Sequence, residues 1–387
     1  MTGATTSADF ANRFPRALAV FEQGRAKGLH LGAQIYVSVN GEVLADVGLG
    51  ESTPGEPMTA DHVTHWLSAG KPLTAVLIGQ LVEQGHATWD AAVAQHVPEF
   101  GQRGKERITL RHILTHTAGL RNADTGWPDV AWEETIARIC TAPLDEGAVP
   151  GVTAGYHIAS TWFLLGEVLQ RVTGQPYGEL LRQRLCEPAG MMRTFAAIDE
   201  KVSGTLGSVP DTKIAPLWER SRDGLTLLDW HLPPRGTRLS PGSSHRGPIR
   251  ELGRFYESLL CSCPPFARGD PGGAKRKILQ PSTVATMIDR HRVGSFDQTL
   301  GHIIDYGLGF IIDSNRYGAD TVPYGYGRYC SPRTFGHGGS QSSQGYCDPE
   351  YSLVVAYLFN GRPGEGQHQR RARAFNEAIY QDARLAD

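Results

Sequence analysis

Leu353-Val354-Val355-Ala356-Tyr357-Leu358-Phe359 decides the fold, because it carries the clearest strand character in a chain of 387 residues and stands close to its end. Its counterpart lies near the beginning. Ala33-Gln34-Ile35-Tyr36-Val37-Ser38-Val39 has the same character, and Asn40-Gly41 supplies a tight turn into a second strand over Glu42 to Val47. Ahead of this hairpin, Phe10, Phe14, Leu18 and Phe21 recur at helical spacing and predict one helix over Ala8 to Lys27. Further strand character appears late, in Gly307 to Ile312 and around Gly345-Tyr346-Cys347, and Gln367 to Leu385 reads as a closing helix.

The middle is different. Leu73 to Gln84, Asp90 to His96, Leu110 to Leu114, Trp132 to Cys140, Ala159 to Val172 and Tyr177 to Leu185 read as helices joined by Gly- and Pro-bearing loops. From Lys201 to Gly247 the chain is loop-rich, with Pro233-Pro234-Arg235-Gly236 and Ser240-Pro241-Gly242-Ser243-Ser244. Loops of that length are often functional. Strands at both ends with helices between them predict an α/β plus all-α molecule. An antiparallel sheet is built from both chain ends and flanked by helices, and a helical lobe is inserted into it. The boundaries expected are 1–67 and 290–387 for the sheet domain, and 68–289 for the helical domain with its active-site loops.

Composition excludes several classes. Hydrophobic residues are 40% and charged residues 20%, and 38 basic side chains against 40 acidic ones give a formal charge of −2. That balance offers nothing to a polyanion, so no nucleic-acid partner is expected. No run approaches the ~18 apolar residues of a membrane span, and Met1 to Phe14 lacks the layout of a secretory signal, so a cytoplasmic protein without membrane contact is expected. Six cysteines without a CxxC suggest neither a disulfide framework nor a zinc ribbon. Cys261 and Cys263 read as plain thiols. His112 and His116, four apart on one predicted helix face, lack a third ligand at an obvious spacing, so no metal and no cofactor are expected.

Ser68-Ala69-Gly70-Lys71 opens a predicted helix. Positions i and i+3 share a face, so the hydroxyl and the amine can meet. Pro72 is tolerated because the first turn has no intrahelical N–H partners to lose. The positive end of the helix favours a developing oxyanion and lowers the proton affinity of Lys71, which can then accept the serine proton. G-x-S-x-G, Walker, dinucleotide and H-E-x-x-H signatures are all missing. A short motif of this kind also arises by chance, and a serine that merely caps a helix is the plain alternative.

Three further segments accompany it: Leu110-Arg111-His112-Ile113-Leu114-Thr115-His116-Thr117-Ala118-Gly119-Leu120, Pro150-Gly151 ahead of Tyr156, and Phe335-Gly336-His337-Gly338-Gly339. In this order the four segments resemble the serine hydrolases related to class C β-lactamases and penicillin-binding proteins, most of all the family VIII carboxylesterases. The resemblance runs from about Gly32 to Gly361 and implies a β-lactamase-like fold. It also implies that Ser68 is the acylated nucleophile, Lys71 its partner and Tyr156 the tyrosine of the family's Y-x-N motif, with lysine or tyrosine as the base. His337-Gly338-Gly339 takes the place of K-T-G, and the N–H groups of Ser68 and Ser340 take that of the oxyanion hole. Ile158 and Trp230 are candidate pocket residues; His157 can face the site or point away from it, and strand-like alternation favours away. Trp66, Trp127, Trp162, Trp218 and Tyr346 can line an acyl pocket, although any single one is more often plain packing.

Two departures from the family pattern shape the functional expectation. A histidine at 337 is a weaker holder of a substrate carboxylate than a permanent cation. Ile158 stands at the asparagine of Y-x-N and cannot donate to a substrate amide. Both shift the expectation from lactam to ester: a serine hydrolase that cleaves small carboxylic esters through an acyl-enzyme on Ser68. An acyltransferase of the same fold keeps the first half-reaction, and a β-lactamase or D-amino-acid peptidase shares the nucleophile. A non-catalytic binding relative would not need Ser68, Lys71 and Tyr156 together. Oligomeric state is not legible in the sequence.

Overall fold

The structure, a computed structural model, describes residues 5–198, 213–232, 238–263 and 277–386. Side-chain alternation explains its central strand, Leu353–Phe359. Leu353, Val355, Tyr357 and Phe359 join a buried cluster with Phe21, Phe375 and Ile379, while Val354, Ala356 and Leu358 join another with Leu252 and Phe255. A strand buried on both faces has no place for a polar residue, and this one has none.

This strand lies antiparallel to Gly32–Val39, with Ile35 opposite Tyr357 and Val37 opposite Val355, so the two ends of the chain meet in one sheet. The sheet has seven strands in the order Ile311–Ile312, Phe335–Gly339, Ser343–Asp348, Leu353–Phe359, Gly32–Val39, Glu42–Thr53 and Glu56–Pro57. Every neighbouring pair is antiparallel. Asn40 and Gly41 both adopt positive φ (53° and 81°), as a tight hairpin turn with the right twist requires. The second strand runs on to Thr53, past the expected end at Val47.

Helices cover both faces. Glu365–Asp382 and Pro15–Ala26 pack together on one, where the Asp382 carboxylate accepts the backbone N–H groups of Arg16 and Ala17. Ile249–Leu260 covers the other. A Cβ at Gly253 would overlap the Tyr36 ring, and one at Gly345 would lie 2.6 Å from the Tyr256 ring. This helix falls inside the stretch 68–289 in sequence, yet in space it forms a layer of the sheet.

Local chemistry accounts for the other differences. The single helix expected over Ala8 to Lys27 is two, Ser7–Arg13 and Pro15–Ala26, because Pro15 cannot continue a helix and moves Phe14 to φ −125°. Asp90 to His96 contains only a 3₁₀ turn, Val93–Gln95, since the Val93 N–H is taken by the Ile108 carbonyl at 2.8 Å. After Leu181 the predicted helix over Tyr177 to Leu185 widens into a π turn, Arg182–Cys186. Gly309, at φ +85°, bends the chain, so that only Ile311–Ile312 of the Gly307 to Ile312 stretch pairs with the sheet. Part of the predicted loop region is a hairpin, Leu217–Ser221 with Gly224–Leu228. Residues 201–212 and Pro233-Pro234-Arg235-Gly236 lie outside the described residues. Among the described residues, no helix is long and apolar enough to cross a membrane.

Candidate active site

Lys71–Glu83 is buried on all sides through Leu81, as expected of a helix that is apolar around its circumference. It is preceded by a 3₁₀ turn, Leu67–Gly70, in which Leu67 takes φ +54°. A non-glycine residue in that region costs about 1–3 kcal/mol and persists only where its surroundings enforce it. The enforcing neighbour is the strand Phe335–Gly339 with its continuation. The Ser343 hydroxyl donates to the Trp66 carbonyl at 2.5 Å, and a Cβ at Gly339 would overlap that same carbonyl. Ser68 is thereby placed against the sheet edge.

The Lys71 ammonium nitrogen lies 3.1 Å from Ser68 Oγ, 2.7 Å from the Ile158 carbonyl and 2.8 Å from the Gly242 carbonyl. It also sits 5.2 Å from the centroids of both the Tyr156 and the Trp162 rings. Lys71 is fully buried and, among the described residues, no carboxylate pairs with it. Burial therefore pulls its pKa well below the ordinary lysine value.

Tyr156 faces the same serine. A hydrogen bond with Ser68 favours its phenolate, but burial outweighs that bond and, with Asp297 and Glu365 nearby, raises the phenol's pKa. Its backbone is held from below. The Asp297 carboxylate accepts the N–H groups of Tyr156, Thr299 and Leu300 at 2.9–3.0 Å, and Thr299 Oγ1 donates to the Tyr156 carbonyl at 3.0 Å.

His157 turns away from the pocket and is not part of it. Its Nε2 accepts the Leu120 N–H at 3.2 Å, and its Nδ1 lies 3.2 Å from His116 Nδ1, which also accepts the His157 backbone N–H at 2.9 Å. Burial brings His157 down to about 3, so both rings are neutral packing elements behind Tyr156. His116 and His112 do not share a helix face: the helix Leu110–Leu114 has ended and His116 adopts φ +57°.

His337 is fully buried and neutral, its pKa brought down to about 3 chiefly by burial and secondarily by Lys71. Its Nδ1 donates to the Gly338 carbonyl at 2.8 Å, which leaves Nε2 as an acceptor only. No cation therefore stands where the resembled family places a lysine. Gly338 is required by close approach, since a Cβ there would overlap the Tyr324 ring. Ser340 Oγ accepts from Arg362 at 3.3 Å.

Ser68, Tyr156, His337, Gly338 and Ser340 line one cavity of about 460 Å³. Ile158 lines it too, with 61% of its surface exposed, although its carbonyl rather than its side chain holds Lys71. Trp230 does not reach this cavity; it packs edge-on against His65, His231 and Trp127. The other aromatic residues expected at the wall are spent on packing. Trp66 donates to the Gly247 carbonyl, Trp218 to the Ser52 carbonyl, and Trp162 and Tyr346 are fully buried. Tyr306 and Tyr324 line the cavity instead. Neither carried a sequence signal, but Asp297 did: an aspartate two residues before Thr299 is a common turn-former that caps backbone N–H groups.

The family model described as Beta-lactamase matches residues 18–378. Esterase EstB of Burkholderia gladioli is 26% identical over an alignment that covers 97% of this chain and 97% of that one. A penicillin-binding-protein homologue from Caulobacter crescentus superposes with a TM-score of 0.75 at 25% identity, covering 98% of this chain and 99% of that one. The structure of a family VIII carboxylesterase superposes at 0.74 with 23% identity, covering 96% and 97%.

Proposed function

Since this chain belongs to the Beta-lactamase family, we propose that it is a carboxylesterase-type serine hydrolase that acts on small esters through an acyl-enzyme on Ser68. One observation carries this reading. A neutral lysine has two N–H donors and one lone pair. The two carbonyls around Lys71 can only accept, so they take both donors, and the lone pair is left facing Ser68 Oγ at 3.1 Å. Burial favours that neutral form. Lys71 then takes the hydroxyl proton as Oγ attacks the ester carbonyl, and the tetrahedral oxyanion forms against the N–H groups of Ser68 and Ser340.

Tyr156, kept protonated by burial, serves as a donor in this scheme. It passes its proton to the departing alkoxide and recovers one from Lys71, so that alcohol leaves and the acyl group stays on Ser68. Water, deprotonated along the same path, releases the acid. The neutral His337 and the apolar Ile158 favour ester over lactam, because neither offers a cation or an amide donor to a carboxylated substrate.

The test is p-nitrophenyl acetate hydrolysis with mass analysis of the quenched protein. The expected result is a burst of nitrophenol and one acetyl adduct on the peptide carrying Ser68, both absent in Ser68→Ala. Turnover by Ser68→Ala at the normal rate would end the reading. Adding a primary alcohol separates transfer from hydrolysis, and turnover of nitrocefin to rival the ester's would favour a lactamase.

A further inference from the structure

Among the described residues, the cavity beside Ser68 has one formally charged residue in its lining, Glu365. Of its two histidines, His337 is buried and neutral, and His302 hydrogen-bonds the Ile303 carbonyl and Thr321 Oγ1. Glu365 is the first residue of the C-terminal helix. It is exposed, and among the described residues no cation pairs with it. Arg362, three residues earlier, does not line the cavity; it is taken up by Ser340 Oγ and by Glu219, 3.5 Å away.

This carboxylate is held in place by neutral donors only. Tyr324 Oη donates to both of its oxygens at 3.0 Å, and Gln369 Nε2 donates to Oε2 at 3.2 Å. Gln369 Oε1 in turn accepts the Tyr324 backbone N–H at 2.8 Å, closing a ring of three residues. Tyr324 adopts φ +56°, an unfavourable conformation for tyrosine that this ring and the Gln344 amide on its carbonyl enforce. The ring is joined to the reaction centre, because the aromatic ring of Tyr324 packs so closely on Gly338 that a Cβ there would overlap it. An oriented, exposed carboxylate without an ion-pair partner, in the lining of the cavity that also holds the nucleophile, suits a positive substrate group.

We propose that Glu365, positioned by Tyr324 and Gln369, is a specificity residue that selects esters bearing a cationic nitrogen. This inference rests on the proposed ester hydrolysis and names its substrate class.

A matched pair of acetates differing by one charge, acetylcholine and 3,3-dimethylbutyl acetate, supplies the test. The ratio of their kcat/KM values is expected to be about two- to fivefold in favour of the cation at low salt, the range for an exposed ion pair, and to shrink as salt is added. In Glu365→Gln the ratio falls to about one, and in Glu365→Lys it inverts. A purely structural role for Glu365 would lower both substrates together and leave the ratio intact, and that result would overturn the proposal. So would a ratio near one in the unaltered protein. The two readings fail separately: loss of charge preference with an intact Ser68 adduct refutes only the role of Glu365, whereas full turnover by Ser68→Ala refutes the hydrolase.

Discussion

Arg292 and Asp297 form a buried ion pair, Nη2 to Oδ2 at 3.0 Å, under the backbone that presents Tyr156. Arg292 also stacks 4.1 Å from the Tyr306 ring centroid and donates to the Thr115 and Ile304 carbonyls. One contact thus ties the segment before Tyr156, the cavity wall and the loop 297–300 together. Asp297→Asn leaves a buried guanidinium without its counter-charge, a loss expected to cost about 3–5 kcal/mol. Urea unfolding would read that loss directly, and kcat should fall with it because an amide set against Arg292 in place of Oδ2 displaces the turn whose Oδ1 holds the Tyr156 N–H. An Asp297→Asn protein with unchanged midpoint and kcat would show that the pair does not position Tyr156.

Gly339 tests the contact between sheet edge and nucleophile. The methyl of Gly339→Ala meets the Trp66 carbonyl and Ser343 Oγ, and a backbone carbonyl cannot rotate away. The strand must move from the turn that carries Ser68. A displacement near 1 Å is expected to cost about a hundredfold in kcat/KM, with overpacking of about 1–3 kcal/mol in stability. Ester kinetics beside thermal melting would show both. Normal kinetics would mean that this contact does not place Ser68.

Acid should weaken the fold before carboxylates titrate. His157, His231, His245 and His337 are buried, and burial brings each to about 3 from 6.5. The unfolded chain therefore binds more protons between those values, so the stability these residues contribute is complete above about 6.5 and is lost as pH falls toward 3. Urea midpoints at about pH 7 and pH 5 are expected to decrease in that order. A flat response would show that these imidazoles are less desolvated than their surroundings imply.

The pH–rate profile follows from Lys71. Its neutral form is the active one and its pKa is lowered by burial, so kcat/KM is lost as pH falls through that value and reaches its plateau well short of 10.5. A rate still climbing at the ordinary lysine value would point to a solvated amine or to the Tyr156 phenolate as base.

How much of this was legible in advance depended on range. Leu353 to Phe359 and Ala33 to Val39 announce strands through local composition alone, and Ser68 and Lys71 through a spacing of three. The split at Pro15 was also a local signal, outweighed by the helical periodicity of Phe10, Phe14, Leu18 and Phe21. The pocket wall was not legible, because tryptophan content says nothing about direction: Trp66, Trp162 and Trp218 spend their surface on packing. Tyr306 and Tyr324 reach the cavity through loop geometry. Nor could a sequence show that the Ile158 and Gly242 carbonyls, 84 residues apart in number, converge on one amine.

That convergence is the central claim, and single-turnover acylation of Lys71→Arg tests it most directly. Arginine keeps N–H donors for the two carbonyls but stays charged and has no lone pair at neutral pH. The account predicts that acetyl transfer from p-nitrophenyl acetate to Ser68, followed by mass spectrometry, slows by about a thousandfold or more while the protein remains folded by circular dichroism. Acylation within about tenfold of the unaltered rate would contradict it.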